Sequence, residues 1–347
     1  MNSPMPDRPG PSPSAGETPA VPPPSPPRRF PVRELFFGRE GLRSLWGILL
    51  FLALWEALRH CVYPIALGLV PSAALGSRDI QPSVVDVFES AGLLCVALAT
   101  LLMTRVERRS FSNYGFSLRH SIRNFAAGLA WGVALLSLLV AILRAAGLLV
   151  FDGRMLAGGA AFRYGAAWLV SFLLVGLTEE MLSRGYLQFA LSRCLTPIYR
   201  WLFAARRPEA LGFWSAAAVL SFAFGFSHRT NPGESPLGLL SAGLIGLVFC
   251  LSLWRTGSLW WAIGFHTSWD WAQSYLYGVA DSGLIARGRL LATHPVGRPF
   301  LSGGLTGPEG SLLLLPVVTA SVAVILLTLP KTHLGPQAVN PAETSLH

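Results

Sequence analysis

Long apolar runs separated by short polar stretches dominate this chain. A helix needs roughly 20 residues to cross a hydrocarbon core about 30 Å thick. Runs of about that length are predicted at 44–70, 84–104, 124–150, 165–192, 213–229, 236–254, 258–278 and 311–329. The pattern therefore predicts an all-α fold, a polytopic membrane helix bundle of about eight transmembrane helices.

The polar segments divide the chain further. Residues 1–32 are rich in Pro, Ser and Gly and bury too little apolar surface to fold, which predicts a disordered tail. Residues 44–150 then hold the first transmembrane helices, and 160–280 hold most of the ionisable residues that lie within apolar runs. A last transmembrane helix follows at 311–329.

Composition supports placement in a bilayer. The chain is 52% hydrophobic and 13% charged, which leaves too little polar surface for a soluble globule of 347 residues. Its net charge of +9 comes almost wholly from arginine, since Lys331 is the only lysine. No basic stretch resembles a nucleic-acid site, so lipid is the expected partner and a nucleic acid is not.

The distribution of arginine predicts the orientation. More arginines flank one set of alternate loops than the other, which predicts both termini in the cytoplasm. The excess of arginine over lysine favours a GC-rich bacterial genome. We therefore expect a protein of the bacterial cytoplasmic membrane.

Adjacent carboxylates interrupt the fourth apolar run. Glu180 and Arg184 are spaced i, i+4, so they can pair on one face of a helix. Glu179 points about 100° away and lacks that partner. A carboxylate without a counter-ion in a low-dielectric site is suited to act as a general base. An ion-paired packing cluster is the alternative interpretation, although one Glu would suffice for it.

Two later runs carry histidine. His228 ends the fifth run, four residues after Phe224, while His266 and Asp270 share a helix face in the seventh. Intramembrane ionisable residues are costly, and the cheapest way to bury these is together around a hydrated cavity. Such a cluster can activate water, bind a divalent ion or relay protons.

The first run contains a separate polar cluster. Glu56, Arg59 and His60 have i, i+3 and i, i+4 spacing, and we interpret them as a structural ion pair or a helix-packing site.

The ordered motifs resemble those of a known family. Glu-Glu-x-x-x-Arg, Phe-x-x-x-His and His-x-x-x-Asp, each on a predicted membrane helix, are similar to the motifs of the CPBP intramembrane proteases, which include the type II CAAX prenyl endopeptidases and the bacterial Abi proteins. The resemblance covers roughly 160–280, which would be the CPBP/CAAX protease core.

The resemblance implies hydrolysis of a peptide bond by a Glu-activated water. Glu179 would be the base, and His228 would hold and polarise the water. Glu180 with Arg184 would position the helix, while His266 and Asp270 would stabilise the oxyanion. A membrane-anchored peptide or protein would be the substrate.

Asp270 departs from the prenyl-processing members, which look as though they use Asn there. Ionised Asp cannot donate a hydrogen bond to an oxyanion, so Asp270 must be protonated, orient His266 or ligate a metal. Metal dependence stays open. His228, His266 and Glu179 are candidate zinc ligands, yet no His-Glu-x-x-His pair lies on one helix, which favours a mechanism without metal.

Two other functions are compatible with the sequence. A non-catalytic membrane protein of the same fold could act in bacteriocin immunity or as a scaffold, but the intact motif favours the enzyme. A secondary transporter could use Glu179 and Asp270 as a proton relay, but no internal repeat is apparent.

Overall fold

The computed structural model describes residues 36–38 and 41–331. Within them the α-helices, in chain order, are α1 (Ser44–Leu69), α2 (Pro82–Glu107), α3 (Ser121–Ala145), α4 (Gly158–Glu180), α5 (Leu187–Trp201), α6 (Pro208–Ser227), α7 (Pro236–Thr256), α8 (Trp260–Asp270), α9 (Pro299–Ser302) and α10 (Leu314–Thr328). The predicted tail at 1–32 lies outside the described residues, and the proposed division of the chain stays a prediction.

Six helices are long and apolar enough to cross a membrane: Ser44–Leu69, Pro82–Glu107, Ser121–Ala145, Gly158–Trp201, Pro208–Thr230 and Pro236–Thr256. The prediction of an all-α membrane helix bundle is confirmed, and the chain is an integral membrane protein. The two other predicted spans correspond to shorter helical stretches, Trp260–Leu276 and Leu314–Thr328. By length and composition, the described residues therefore supply six crossings plus these two shorter helices.

Helix boundaries follow from local sequence. Proline stands at the first turn of α2, α6 and α7, where a missing backbone N–H costs nothing. The Ser235 side chain caps α7 by accepting a hydrogen bond from the Gly238 N–H at 3.1 Å. Gly257 ends the same helix with φ of +66°, a left-handed conformation that glycine adopts without steric cost.

Two π-helical segments interrupt the regular helices. Met181–Tyr186 joins α4 to α5, and Trp271–Leu276 extends α8. The first includes Gly185, whose ψ of −110° is not helical. Each segment begins directly after acidic residues that the sequence marked as candidate site residues, and π-helical turns often occur at functional sites.

Short strands occur outside the helices. The strands are β1 (Phe37–Gly38), β2 (Gly41–Leu42), β3 (Asp79–Ile80), β4 (Leu149–Arg154), β5 (Ile285–Ala286) and β6 (Leu291–Pro295). β1 and β2 form an antiparallel hairpin, β3 pairs parallel with β5, and β4 pairs antiparallel with β6.

We call the loops at 70–81, 146–157, 228–235 and 277–313 the loop cap. Besides the β3–β5 and β4–β6 pairs, Asn231 donates to the Ser282 carbonyl at 3.1 Å and Arg78 to the Gly283 carbonyl at 2.9 Å. At the opposite end, the Leu259 N–H donates to the Gly115 carbonyl at 2.9 Å. Alternate loops therefore gather at opposite ends, as expected for helices that cross in alternating directions.

Glycine allows α3 and α8 to pack backbone against backbone. A Cβ atom on Gly264 would lie 2.2 Å from the Phe125 carbonyl oxygen, and one on Gly128 would lie 2.2 Å from that of Trp261. No side chain fits such gaps, and small residues at membrane helix interfaces permit this close approach. The contact fixes the position of α8, which carries two of the candidate site residues.

Candidate active site

A cavity of about 370 Å³ lies within the bundle, beneath the loop cap. Residues from α2, α4, α6, α7, α8 and the loop cap form its wall. Its ionisable side chains are Glu89, Glu179, His228, His266, Asp270, Asp281 and Glu309. A polar chamber inside an apolar bundle is the arrangement in which membrane-buried ionisable residues are tolerated.

Glu180 and Arg184 form a buried ion pair across the end of α4. Arg184 Nη1 donates to Glu180 Oε1 at 2.6 Å, and both side chains are almost fully buried. The guanidinium also lies over the rings of Phe224, at 4.4 Å, and Phe249, at 5.4 Å. Aromatic faces attract a cation where water is excluded. The pair therefore links α4 to α6 and α7.

His266 is surrounded by carboxylates. Its Nδ1 lies 3.1 Å from Glu180 Oε1, while its Nε2 lies 3.5 Å from both Glu179 Oε2 and Asp270 Oδ2. A neutral imidazole can donate at only one nitrogen, whereas a protonated one donates at both. His266 thus connects the adjacent glutamates of α4 to Asp270 on its own helix.

The adjacent glutamates face different environments. Glu180 is fully buried between Arg184 and His266, whereas the Glu179 side chain is 28% exposed and lies on the cavity wall. The difference follows from the 100° rotation between neighbouring residues of a helix. Glu179 is therefore the carboxylate that a molecule in the cavity can reach.

His228 approaches the same cavity from α6. Its Nδ1 lies 2.9 Å from the Phe224 carbonyl oxygen, and a carbonyl only accepts, so Nδ1 must carry the proton of that hydrogen bond. Nε2 is then left as an acceptor. The Phe224 ring lies 4.9 Å from the His228 ring and 6.3 Å from the His266 ring, between the two histidines.

The structure thus places all the sequence-predicted site residues in one region. His266 lies within ion-pair distance of Glu179, Glu180 and Asp270, and His228 lines the same cavity as Glu179, His266 and Asp270 without an ion pair to them among the described residues. By the hydropathy pattern His228 ends its run, whereas Glu179, Glu180, His266 and Asp270 lie inside theirs. The cavity extends along the bundle far enough to include it.

Sequence reasoning missed four residues of this region. Glu89 is one of two carboxylates in the second apolar run, with Asp86, and that interruption was the available signal. Phe249 contacts both Arg184 and His266, but it resembles any other apolar residue of its run. Asp281 and Glu309 belong to loops, where the sequence gives no indication of depth.

The loop cap closes the cavity through hydrogen bonds to its carboxylates. The Trp269 indole N–H and the Ser282 hydroxyl donate to separate oxygens of Glu309, both at 3.1 Å. The Ser274 hydroxyl donates to Asp281 at 2.9 Å. Burial, followed by the negative charges of Asp270 and Glu309, raises the pKa of Asp281 well above its usual range.

A pH-dependent contribution to stability follows. Because the pKa of Asp281 is raised by folding, the folded state binds its proton more tightly than the unfolded state, and stability falls as pH rises above the unfolded value of about 3.9. Asp281→Asn should lessen this fall and raise the apparent Tm by a few degrees at pH 8. Thermal unfolding in detergent between pH 5 and 8 measures it.

Asp79→Asn is the matched control, since Asp79 is an exposed carboxylate of the same loop cap. It should leave the pH dependence close to that of the wild type. Parallel curves for Asp281→Asn and the wild type would show that Asp281 is not responsible.

The candidate ligands do not form a metal site. Among the described residues, no group of three or more His, Cys, Asp or Glu side chains is arranged to hold a metal ion. Zinc requires nitrogen or oxygen donors at about 2.0–2.2 Å in tetrahedral array. In this structure His266 is engaged by carboxylates on both nitrogens, and His228 Nδ1 by a backbone carbonyl.

A comparison with known protein families identifies the segment that carries most of these residues. Residues 159–272 match the model of a family described as type II CAAX prenyl endopeptidase Rce1-like. The matched segment runs from α4 to the start of the second π-helical segment and contains the Glu179–Glu180 pair, Arg184 and both histidines. This segment is an Rce1-like domain.

The Rce1-like domain is consistent with the CPBP resemblance and implies protease activity. It covers about a third of the chain. No curated protein and no solved structure matches the chain significantly. Glu89, Asp281 and Glu309 lie outside the Rce1-like domain, so the cavity is completed by parts of the chain that precede and follow it.

Proposed function

We propose that the protein is an intramembrane endopeptidase in which Glu179 activates the water that hydrolyses a peptide bond of a membrane-associated substrate. The observation that carries this proposal is the difference in environment between the two adjacent glutamates. Glu180 is neutralised by Arg184 and held against His266, while Glu179 faces the cavity 3.5 Å from His266. The Rce1-like domain supports the same reaction class.

In the proposed reaction, a water oxygen attacks the substrate carbonyl carbon as Glu179 takes its proton. His228 Nε2 accepts a hydrogen bond from that water and orients it. The tetrahedral intermediate then breaks its C–N bond, and Glu179 returns the proton to the leaving nitrogen. The products are a carboxylate and an amine.

Asp270 takes an orienting role in this proposal. Its carboxylate lies 3.5 Å from His266 Nε2, so its negative charge can stabilise and orient a protonated ring whose Nε2–H turns to the developing oxyanion. This role requires no hydrogen-bond donation from Asp270 itself, which resolves the difficulty that an ionised Asp posed for oxyanion stabilisation. The Glu180 carboxylate is hydrogen-bonded to the other nitrogen of the His266 ring, Nδ1.

Cleavage of defined peptides tests the proposal. The purified protein in liposomes is incubated with membrane-anchored peptides, prenylated and unprenylated, in ¹⁸O-labelled water. We expect cleavage near the carboxyl end, with one ¹⁸O in the new carboxylate by mass spectrometry. His228→Ala should lower the rate about 10²-fold or more. Failure to cleave any peptide would favour the scaffold or immunity function.

Treatment with a chelator tests whether the reaction requires a metal. The mechanism through Glu179 predicts that a chelator leaves the rate unchanged. If chelation abolished cleavage and zinc restored it, this mechanism would be wrong.

Arginine distribution supports a location in the bacterial cytoplasmic membrane with both termini in the cytoplasm. Reporter fusions at each terminus test this orientation, and a reporter active outside the cytoplasm would contradict it.

A further inference from the structure

A charged patch faces outward halfway along α1. Glu56, Arg59 and His60 lie at the middle of this 26-residue helix, at the depth of the bilayer centre if α1 crosses directly. In the part of the chain that the structure describes, the His60 side chain is 76% exposed and that of Glu56 is 49% exposed. α1 is also the least buried of the six candidate spans.

Pairing within the helix is incomplete. Arg59 Nη1 lies 3.1 Å from Glu56, and its guanidinium lies 4.9 Å from the ring centroids of Trp55 and Tyr63. Among the described residues, His60 contacts the Glu56 side chain and backbone carbonyl. A charge that faces lipid at the bilayer centre is costly to insert. A patch with such a cost is expected to be covered by another polar surface.

The same face permits close approach of a helix. Ala53, Ala57 and Cys61 are exposed and follow one another at four-residue spacing, beside Glu56 and His60. Small residues at this spacing let two membrane helices pack with their backbones close together, and polar side chains then hydrogen-bond between them.

We propose that α1 is the contact surface with a second copy of this chain in the membrane. The patch carries both signs of charge at one depth, so it is complementary to itself. A two-fold axis along the membrane normal would place Glu56 of each copy opposite Arg59 and His60 of the other, as an isologous interface requires. The proposal is independent of the catalytic function, since α1 contributes nothing to the cavity wall.

Site-directed crosslinking in native membranes tests this contact. Ala53→Cys and Ala57→Cys are each made in a Cys61→Ser chain and treated with a short bis-maleimide. We expect an adduct of twice the 37.4 kDa chain mass for both. Val219→Cys is the matched control, because Val219 lies near the middle of α6 and is also exposed. It should stay at the monomer mass.

The charge requirement is measured in the same assay. Glu56→Arg, added to the Ala57→Cys chain, leaves only positive or neutral groups on the face and should abolish the adduct among inserted chains. Monomer mass at both cysteine positions would overturn the proposal. So would equal crosslinking of Val219→Cys, an adduct with a different protein, or an adduct that Glu56→Arg leaves unchanged.

Discussion

Glu179→Gln should abolish peptide cleavage, with a loss of about 10³-fold or more, while the protein stays folded. Gln has nearly the shape of Glu but cannot accept the proton of the attacking water, and general-base catalysis typically contributes 10²–10⁴-fold. The side chain is partly exposed and its contact with His266 is long, at 3.5 Å, and the substitution leaves the fully buried Glu180–Arg184 pair intact. Initial rates in liposomes, beside thermal unfolding of the same preparations, measure both effects.

Glu89→Gln is the matched control for this substitution. Glu89 also lines the cavity, but it has no ion pair with His266 among the described residues. We expect its rate to stay within about tenfold of the wild type, because the base itself is retained. A Glu179→Gln enzyme that kept a tenth of its activity, or a Glu89→Gln enzyme as inactive as it, would contradict the assignment of the base.

Arg184→Met should destabilise the protein by about 3–5 kcal/mol, the cost typical of removing one partner of a buried ion pair. Methionine fills much of the space between the rings of Phe224 and Phe249, so the main loss is charge compensation. Glu180 would then be fully buried, with His266 as its positively charged neighbour. Denaturant unfolding in mixed micelles gives the free energy.

The double variant Glu180→Gln/Arg184→Met separates charge from packing. Removing both charges should recover a large part of the stability, because no uncompensated carboxylate remains buried. Cleavage should be low in the double variant, since His266 loses the Glu180 carboxylate that holds its Nδ1. An Arg184→Met protein within about 1 kcal/mol of the wild type would show that the pair does not carry the stability assigned to it.

Much of the architecture follows from hydropathy, because a bilayer allows only helices with satisfied backbones to cross it. The adjacency of Glu180 and Arg184, and the divergence of Glu179, follow from helical periodicity alone. The position of α8 beside α4 does not follow from periodicity. It depends on the close packing of α3 against α8, where a Cβ atom on Gly264 or Gly128 would clash with a carbonyl oxygen of the other helix.

Loop residues were the least predictable part of the site. Asp281 and Glu309 reach the cavity because separate loops pair with one another across the end of the bundle. Such pairing joins residues that are distant in sequence, and a hydropathy pattern holds no information about it. Glu89 differs, because a carboxylate in an apolar run already requires an explanation.

The π-helical segment after Glu180 makes the site sensitive to the length of the chain. A π-helix accommodates one more residue per turn than an α-helix. Deleting one residue at 181–183 would let α4 and α5 fuse into a regular helix with unchanged hydropathy. The deletion would also turn Arg184 and everything after it by about 100° relative to Glu180. Among relatives of equal hydrophobicity, a single-codon deletion there would mark a protein that keeps the bundle and has lost the contact of Arg184 with the rings of Phe224 and Phe249.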